Sequence, residues 1–142
     1  IQILSPGFYF ENQKVFREND SFLKRSVLRL VTNCSDWAIQ TNLISAAKLG
    51  GNWDMYVSVK VAPGVKATPK SIAFNGGCMV APDDIRRRDV FLSETASDGY
   101  HFIKLAENLP LTDKSTMFMA PQNNFEEVGN IWIDQVLLIR KD

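Results

Sequence analysis

Residues 50–64 constrain the fold of this chain more than any other stretch. From Trp53 to Val61 apolar residues occupy every second position, and the positions between them hold Asp54, Tyr56, Ser58 and Lys60. A period of two is typical of a strand with one buried face and one solvated face. Gly50-Gly51 and Pro63-Gly64 indicate turns at its two ends. Because an apolar strand face must be buried on a second layer, the sequence predicts that this strand packs against another sheet.

Short apolar or β-branched runs recur along the whole chain, with turn-forming residues between most of them. They predict further strands over residues 8–12, 27–33, 37–43, 71–80, 90–94, 100–108, 116–120 and 131–140. Residues 44–49 favour a single helical turn, and no amphipathic helix lies between the strands, as an α/β fold would require. About nine short strands with almost no helix predict an all-β fold, an antiparallel β-sandwich or jelly roll.

Other stretches predict loops and irregularities within this single domain. Residues 13–25 are polar and mixed, residues 81–89 are charged, and both are expected to be loops. Gly76-Gly77 predicts a bulge or a tight turn inside the strand 71–80. The nearly apolar run 131–140 suits a strand covered on both sides. We expect one domain over residues 1–142, with 1–26 as a lead-in and edge strand and 27–142 as the main sandwich.

Charge and cysteine content narrow the classes of partner. Sixteen acidic and sixteen basic residues cancel, so there is no electrostatic reason to expect nucleic acid or an anionic membrane as a partner. No apolar run approaches the length of a membrane span. Cys34 and Cys78 lack metal-site spacing, and free, partly buried thiols are favoured over a disulfide. A start at Ile1 rather than Met favours a processed protein or an excised module.

Catalytic and metal chemistry have few candidates. The only histidine, His101, lies in a strand pattern, and Asp83, Asp84 and Asp89 flank three arginines, as in a solvated turn. We therefore predict that the chain is not an enzyme and requires no cofactor. Calcium is the one ion to consider, because carboxylate and carbonyl oxygens in β-sandwich modules bind it. Glu11 and Asp134 are its candidate ligands, although an arginine would equally satisfy a buried Asp134.

Aromatic residues beside turns suggest carbohydrate binding. A sugar site needs an exposed ring for the apolar face of a pyranose and planar polar groups for its hydroxyls. The candidate rings are Tyr56, on the polar face of its strand, together with Tyr100, Trp37 and Trp53. Trp37 and Trp53 also lead apolar strand faces, so a place in the core is the alternative for both. The candidate hydrogen-bonding groups are Arg86, Arg87, Arg88 and Asn123.

Four segments together resemble a known group of proteins. They are Trp37-Ala38-Ile39-Gln40, residues 52–61, Gly99-Tyr100-His101, and residues 117–124 with the final strand at 130–140. They look like carbohydrate-binding β-sandwich modules of galactose-binding-like fold, as found at the C-terminal end of glycoside-hydrolase-like proteins of gut bacteria. In that group an aspartate at the position of Asp134 is associated with a structural calcium site. The N-terminal Glu-x-Glu pattern that completes the site in some relatives is reduced here to Glu11.

The resemblance implies a non-catalytic accessory module that binds a glycan or polysaccharide and belongs to a larger polysaccharide-degrading protein. It also implies a periplasmic, cell-surface or extracellular location, and a parent catalytic domain as the second partner. The alternative from another functional class is a structural module that packs on its parent enzyme and binds no sugar. An exposed aromatic ring beside polar groups would favour the first hypothesis, and a contiguous apolar surface patch would favour the second.

Overall fold

The computed structural model describes residues 2–4 and 15–141, with side chains from residue 15 onward. These residues form ten strands, one short α-helix and one turn of 3₁₀-helix. The elements are β1 (Gln2–Leu4), β2 (Val15–Asp20), β3 (Arg25–Val31), β4 (Ile39–Asn42), α1 (Ile44–Ala47), β5 (Asn52–Pro63), β6 (Ile72–Ala81), β7 (Asp84–Phe91), the 3₁₀ turn Leu92–Glu94, β8 (His101–Leu109), β9 (Thr116–Ala120) and β10 (Val128–Lys141). Among the described residues, no helix has the length and apolar character needed to cross a membrane.

The strands form two antiparallel sheets around one hydrophobic core. The larger sheet has the order β2-β3-β10-β5-β8, and β1 also pairs with β10. The smaller sheet has the order β4-β9-β6-β7. Residues from both sheets, such as Val57 and Phe74, pack in the same buried cluster. The all-β antiparallel sandwich predicted from the sequence is confirmed.

Strand β5 is central to the larger sheet, between β10 and β8. Its alternate residues Trp53, Met55, Val57, Val59 and Val61 are each at most 1% exposed, as the pattern predicts. The opposite face is less open to solvent than expected, because Asp54 and Ser58 are also buried. Asp54 Oδ1 accepts a hydrogen bond of 3.1 Å from the Asn108 backbone N–H, and this bond helps to satisfy the buried carboxylate.

The loop prediction for residues 13–25 is wrong from Val15 onward. Strand β2 forms a hairpin with β3, and Asp20 Oδ1 closes the turn by accepting hydrogen bonds from the N–H groups of Phe22 and Leu23, both at 2.9 Å. Val15 is the only fully buried residue of this edge strand, so the period-two signal is weak there. The strand predicted at 8–12 lies outside the described residues.

The loop prediction for residues 81–89 is also wrong, because β7 pairs with β6 along eight residues. Gly76 and Gly77 lie inside a continuous β6 and pair with both neighbouring strands, and the register shifts of β6 occur near its two ends instead. Of the predicted strand 90–94, only residues 90–91 lie in a strand, at the end of β7, and residues 92–94 form the 3₁₀ turn. The final strand β10 buries one face, while alternate residues such as Trp132 and Leu137 are half-buried on the other.

Both cysteines are free thiols and both are buried, which agrees with the sequence-based preference. Burial raises the pKa of the Cys78 thiol to about 12. Because the thiolate is the reactive form, we expect Cys78 to resist alkylation at pH 8 in the folded protein and to react after unfolding. Mass spectrometry after an iodoacetamide pulse, with and without guanidinium chloride, measures this difference. Native-state labelling of Cys78, or a Cys34–Cys78 disulfide in the intact mass, would contradict the expectation.

Candidate functional site

The outer face of the smaller sheet carries a stacked aromatic pair. Trp37, two residues before β4, stacks on Phe118 of β9 with ring centroids 3.8 Å apart and planes 6° apart. Met117 and Met119 point into the core, so Phe118 points away from it. Phe118 is nevertheless fully buried, whereas Trp37 is partly exposed. Because one face of the indole covers Phe118, the exposed part of the Trp37 ring belongs to the opposite face or to the ring edge.

Arg87 of β7 approaches the same pair from the other side. The cross-strand register places Gln40, Phe118, Gly77 and Arg87 side by side on the four strands of the sheet. Gly77 carries no side chain, and the β7 backbone at Arg86 and Arg87 lies where its Cβ atom would be. The Arg87 Cζ atom lies 5.8 Å from the centroid of the Phe118 ring, within the range of a cation–π contact.

A polar hollow lies beside the aromatic pair. Gln40, Thr41, Asn42 and Thr116 line about 340 Å³ of space between β4 and β9. Gln40 Nε2 donates to the Trp37 carbonyl at 3.3 Å, and Asn42 Oδ1 accepts from the Ile44 N–H at 2.6 Å. Within the described part of the chain, Gln40 Oε1 and Asn42 Nδ2 have no hydrogen-bond partner. We call Trp37, Gln40, Asn42, Arg87, Thr116 and Phe118 the Trp37 surface.

The loop that carries Trp37 is tied to its neighbours. The Asn123 N–H donates to the Cys34 carbonyl at 2.8 Å, and the Thr32 hydroxyl donates to the Val128 carbonyl. Asn123 adopts a left-handed backbone (φ 55°) in the loop between β9 and β10. Its side chain lines a different hollow of about 480 Å³, with Lys66 and Phe125. Asn123 is therefore outside the Trp37 surface and supports the Trp37 loop through its backbone.

The outer face of the larger sheet contains a row of alternating rings and cations: Phe16, Arg29, Trp132, Lys60 and Tyr100. Arg29 Cζ lies 4.8 Å from the Phe16 centroid, and Lys60 Nζ lies 4.7 Å from the Trp132 centroid and 5.2 Å from that of Tyr100. These cations cover faces of the rings that a pyranose would need.

The polar atoms of the aromatic rings in this row also have hydrogen-bond partners. The Tyr100 hydroxyl donates to Asp20 Oδ2 at 3.1 Å, and Trp132 Nε1 donates to Glu18 Oε1 at 3.1 Å. Burial, together with the Asp20 carboxylate, raises the pKa of Tyr100. The structure thus places Tyr100 in a satisfied network away from the Trp37 surface.

The remaining candidate rings, Tyr56 and Trp53, also lie elsewhere. Tyr56 is on the outer face of the larger sheet, where Lys104 Nζ lies 5.7 Å from its ring centroid. Trp53 is 1% exposed, so it belongs to the core, which was the alternative prediction for this residue. A ring enclosed on all sides cannot offer a face to a ligand.

Two of the three consecutive arginines join the edges of the two sheets. Arg86 donates to Asp84 at 3.0 and 3.2 Å and to the Asn108 carbonyl at 3.3 Å. Arg88 pairs with Glu94 at 2.9 Å and donates to the Lys104 carbonyl at 3.0 Å. The bonds from Arg88 lower the pKa of Glu94. Since Asn108 and Lys104 are in β8, these side chains close the sandwich between β7 and β8 and have a structural role.

Another hollow lies at the end of the sandwich, between the loop after β5 and the 3₁₀ turn. Its volume is about 560 Å³, and its lining residues include Val61, Pro63, Leu92 and Ala96. Hydroxyl side chains such as Thr68 and Thr95 lie at its rim, but no aromatic residue is among the residues that line it. The hollow therefore lacks the flat ring that a sugar site requires.

Asp134 does not resemble a calcium ligand in this structure. Both of its oxygens accept hydrogen bonds from Arg25, Oδ1 from Nε at 2.8 Å and Oδ2 from Nη2 at 2.5 Å. A guanidinium in this position repels a cation and satisfies the carboxylate in its place. Glu11 lies outside the described residues. In the described ranges 2–4 and 15–141, no group of three or more His, Cys, Asp or Glu side chains is placed to bind a metal ion.

No protein-family model matches the chain, and no curated protein matches it by sequence. Solved structures match it by fold. One is TmCBM61 in complex with β-1,4-galactotriose, with a TM-score of 0.56 and 9% sequence identity over 99% of this chain and 88% of that one. This chain has the β-sandwich fold of a carbohydrate-binding module. The resemblance predicted from the sequence is therefore confirmed for the fold.

A second similar structure is the Bacillus thuringiensis insecticidal crystal protein Cry7Ca1, with a TM-score of 0.61 and 10% sequence identity. That match covers 99% of this chain but 22% of the toxin chain, so the same sandwich fold also forms part of a much larger protein. With sequence identities this low, both comparisons show that the fold is shared and do not show what this chain binds.

Sequence reasoning found Trp37 and Arg87 and missed Gln40, Asn42 and the role of Phe118. The alternation predicted that Trp37 leads an apolar strand face, but β4 begins only at Ile39, so the alternation does not extend to Trp37. The signal for Phe118 was available: residues 117–119 are three consecutive large apolar residues in one strand. One of the three must point away from the core, and a large apolar ring there needs a cover.

Proposed function

We propose that this chain is a non-catalytic module that binds carbohydrate at the Trp37 surface. The observation that carries the proposal is the Trp37 indole, which is partly exposed, held flat on Phe118 and bordered by amide and hydroxyl groups. Support for this class of function also comes from the fold shared with TmCBM61, which was solved with a galactotriose.

The chemistry of the Trp37 surface suits a pyranose. The apolar C–H face of the sugar packs on the open indole face, and ring hydroxyls pair with Gln40 Oε1, Asn42 Nδ2 and the Thr116 hydroxyl. The stack on Phe118 fixes the indole in one orientation before the ligand arrives, so little side-chain entropy is lost on binding. No cofactor enters this proposal.

The wider context is part of the same proposal. As the resemblance implies, the module serves a larger polysaccharide-degrading protein, located in the periplasm, at the cell surface or outside the cell, and directs its catalytic domain to the glycan. Affinity for one polymer would then raise the local concentration of substrate for a linked enzyme.

A specific observation favours a second candidate function, a structural module that packs on a parent enzyme. Val65 is 94% exposed and Phe125 is 63% exposed in two loops that run together, where the Lys66 N–H donates to the Glu126 carbonyl at 2.7 Å. Exposed apolar side chains on neighbouring loops favour contact with another protein surface. This role needs no sugar, so the absence of glycan binding separates it from the first proposal.

The test is calorimetry of the chain with β-1,4-galactotriose and with a panel of plant, host and bacterial oligosaccharides. We expect saturable binding to at least one, and at least a tenfold weaker affinity for Trp37→Ala, since buried aromatic anchors contribute about 2 kcal/mol or more.

Tyr56→Ala is the matched control, because it removes an aromatic ring from the other sheet and should leave the affinity unchanged. Asn42→Ala separates ligand contact from any loosening of Phe118, and its affinity should also fall. No binding to any glycan would overturn the proposal in favour of the structural module, and full affinity in a folded Trp37→Ala variant would overturn the site.

A further inference from the structure

Arg87 differs from the two arginines beside it in having no acidic partner. Arg86 pairs with Asp84 at 3.0 Å and Arg88 with Glu94 at 2.9 Å. Among the described residues, no carboxylate lies within 4.0 Å of the Arg87 guanidinium, which lies over the Phe118 ring. Arg87 is exposed, in contrast to its two half-buried neighbours.

The acidic residues near Arg87 on the same face are directed elsewhere or open to solvent. Asp89 is two residues further along β7, but its Oδ1 accepts a hydrogen bond of 3.0 Å from Asn75 Nδ2. Asp36, next to Trp37, is exposed, where solvent and salt weaken its field. The guanidinium donors of Arg87 are thus available to a ligand on the Trp37 surface.

Position and chemistry connect this arginine to the sugar-binding ring. Trp37 and Arg87 contact Phe118 from two sides, so an oligosaccharide that crosses Phe118 can contact the indole and the guanidinium together. The β7 backbone lies against Gly77, so no β6 side chain stands between the two contacts on this face. A guanidinium presents paired N–H donors that match the two oxygens of a carboxylate or a sulfate.

We propose that the Trp37 surface binds an acidic glycan, with the carboxylate or sulfate of one sugar residue paired to Arg87. This inference rests on the proposed function and names its ligand class. The indole binds the sugar ring whether the sugar is charged or neutral, and the guanidinium favours the charged sugar over its neutral counterpart. The galactotriose bound to TmCBM61 is neutral, but at 9% sequence identity that structure shares only its fold with this chain.

The experiment compares trigalacturonic acid, a sulfated galactose trisaccharide and neutral β-1,4-galactotriose by calorimetry at low and high salt. We expect one of the acidic ligands to bind about tenfold more tightly than the neutral trisaccharide at low salt. The difference should shrink as salt is added. The two acidic ligands distinguish a carboxylate from a sulfate as the recognised group.

Arg87→Gln should bring the ratio of acidic to neutral affinity from about tenfold to about one and remove the dependence of that ratio on salt. Lys48→Gln is the matched control, because it removes one exposed positive charge at the end of α1 from a residue that is not part of the Trp37 surface. Preference retained in Arg87→Gln, or lost equally in Lys48→Gln, would overturn the inference. Neutral glycans bound as tightly as acidic ones would overturn it and leave the proposed function standing, whereas no binding at all would remove both.

Discussion

Replacing Gly77 with alanine is expected to lower the free energy of unfolding by about 3 kcal/mol or more, enough to leave much of the protein unfolded. A Cβ atom at this position would lie 2.0 Å from the Arg86 carbonyl oxygen and 2.8 Å from the Arg87 Cα atom. Both atoms belong to the backbone of β7, so relief of the clash requires the strand itself to move. Urea denaturation measures the loss.

The control for this prediction is Gly99→Ala. A Cβ at Gly99 would meet no atom within 4 Å, so its free energy of unfolding should change by less than about 0.5 kcal/mol. If Gly77→Ala were equally mild, the close approach of β6 and β7 would be refuted. Any folded fraction of Gly77→Ala should also bind acidic glycans poorly, because a shift of β7 moves Arg87 relative to Phe118.

Sequence patterns predict this fold where strands bury a whole face and fail where they do not. Strand β9 was predicted with both bounds correct, and β5 with its buried residues, since each lies between two other strands. Strands β2 and β7 are sheet edges that bury few residues, so their polar sequences look like loops. Gly77 was taken as a break because composition alone does not reveal that a neighbouring backbone occupies the space of its missing side chain.

The sequence predicted which types of residue form the candidate site, but it did not predict how these residues are arranged. Trp37 and Arg87 were selected for chemistry that suits sugars, but Arg86 and Arg88 have the same chemistry and a different role. The difference follows from alternation along β7, which directs Arg87 outward and its neighbours toward β8. That alternation was invisible once residues 81–89 were assigned to a loop.

The two outer faces of the sandwich show how a binding surface can be recognised without a ligand. On the larger sheet, aromatic rings have cations against their faces and hydrogen-bond acceptors at their polar atoms, so binding there would first have to break these contacts. On the Trp37 surface, an indole face, two amide atoms and a guanidinium have no such partner within the described residues. A ligand can bind polar groups that have no partner without first breaking other contacts. This favours the smaller sheet as the binding face.

The second large effect is expected at Arg25, the first residue of β3 after the β2–β3 turn. Arg25→Met should lower the free energy of unfolding by about 2–3 kcal/mol, because it leaves the Asp134 carboxylate, 4% exposed, without its charged partner. The Arg25 side chain is 48% exposed, so the loss is smaller than for a fully buried pair. The hydrogen bonds with Asp134 raise the pKa of Arg25, which agrees with a favourable interaction.

The double variant Arg25→Met/Asp134→Asn tests whether the loss comes from the unpaired charge. It should recover most of the stability, because a neutral amide is less costly to bury than a carboxylate. An effect of calcium on stability would contradict the pairing of Asp134 with Arg25. If calcium raised the melting temperature of the unmodified protein and Asp134→Asn abolished that rise, Asp134 would be a metal ligand and its assignment to Arg25 would be wrong. We expect no such rise, because the guanidinium already occupies both carboxylate oxygens.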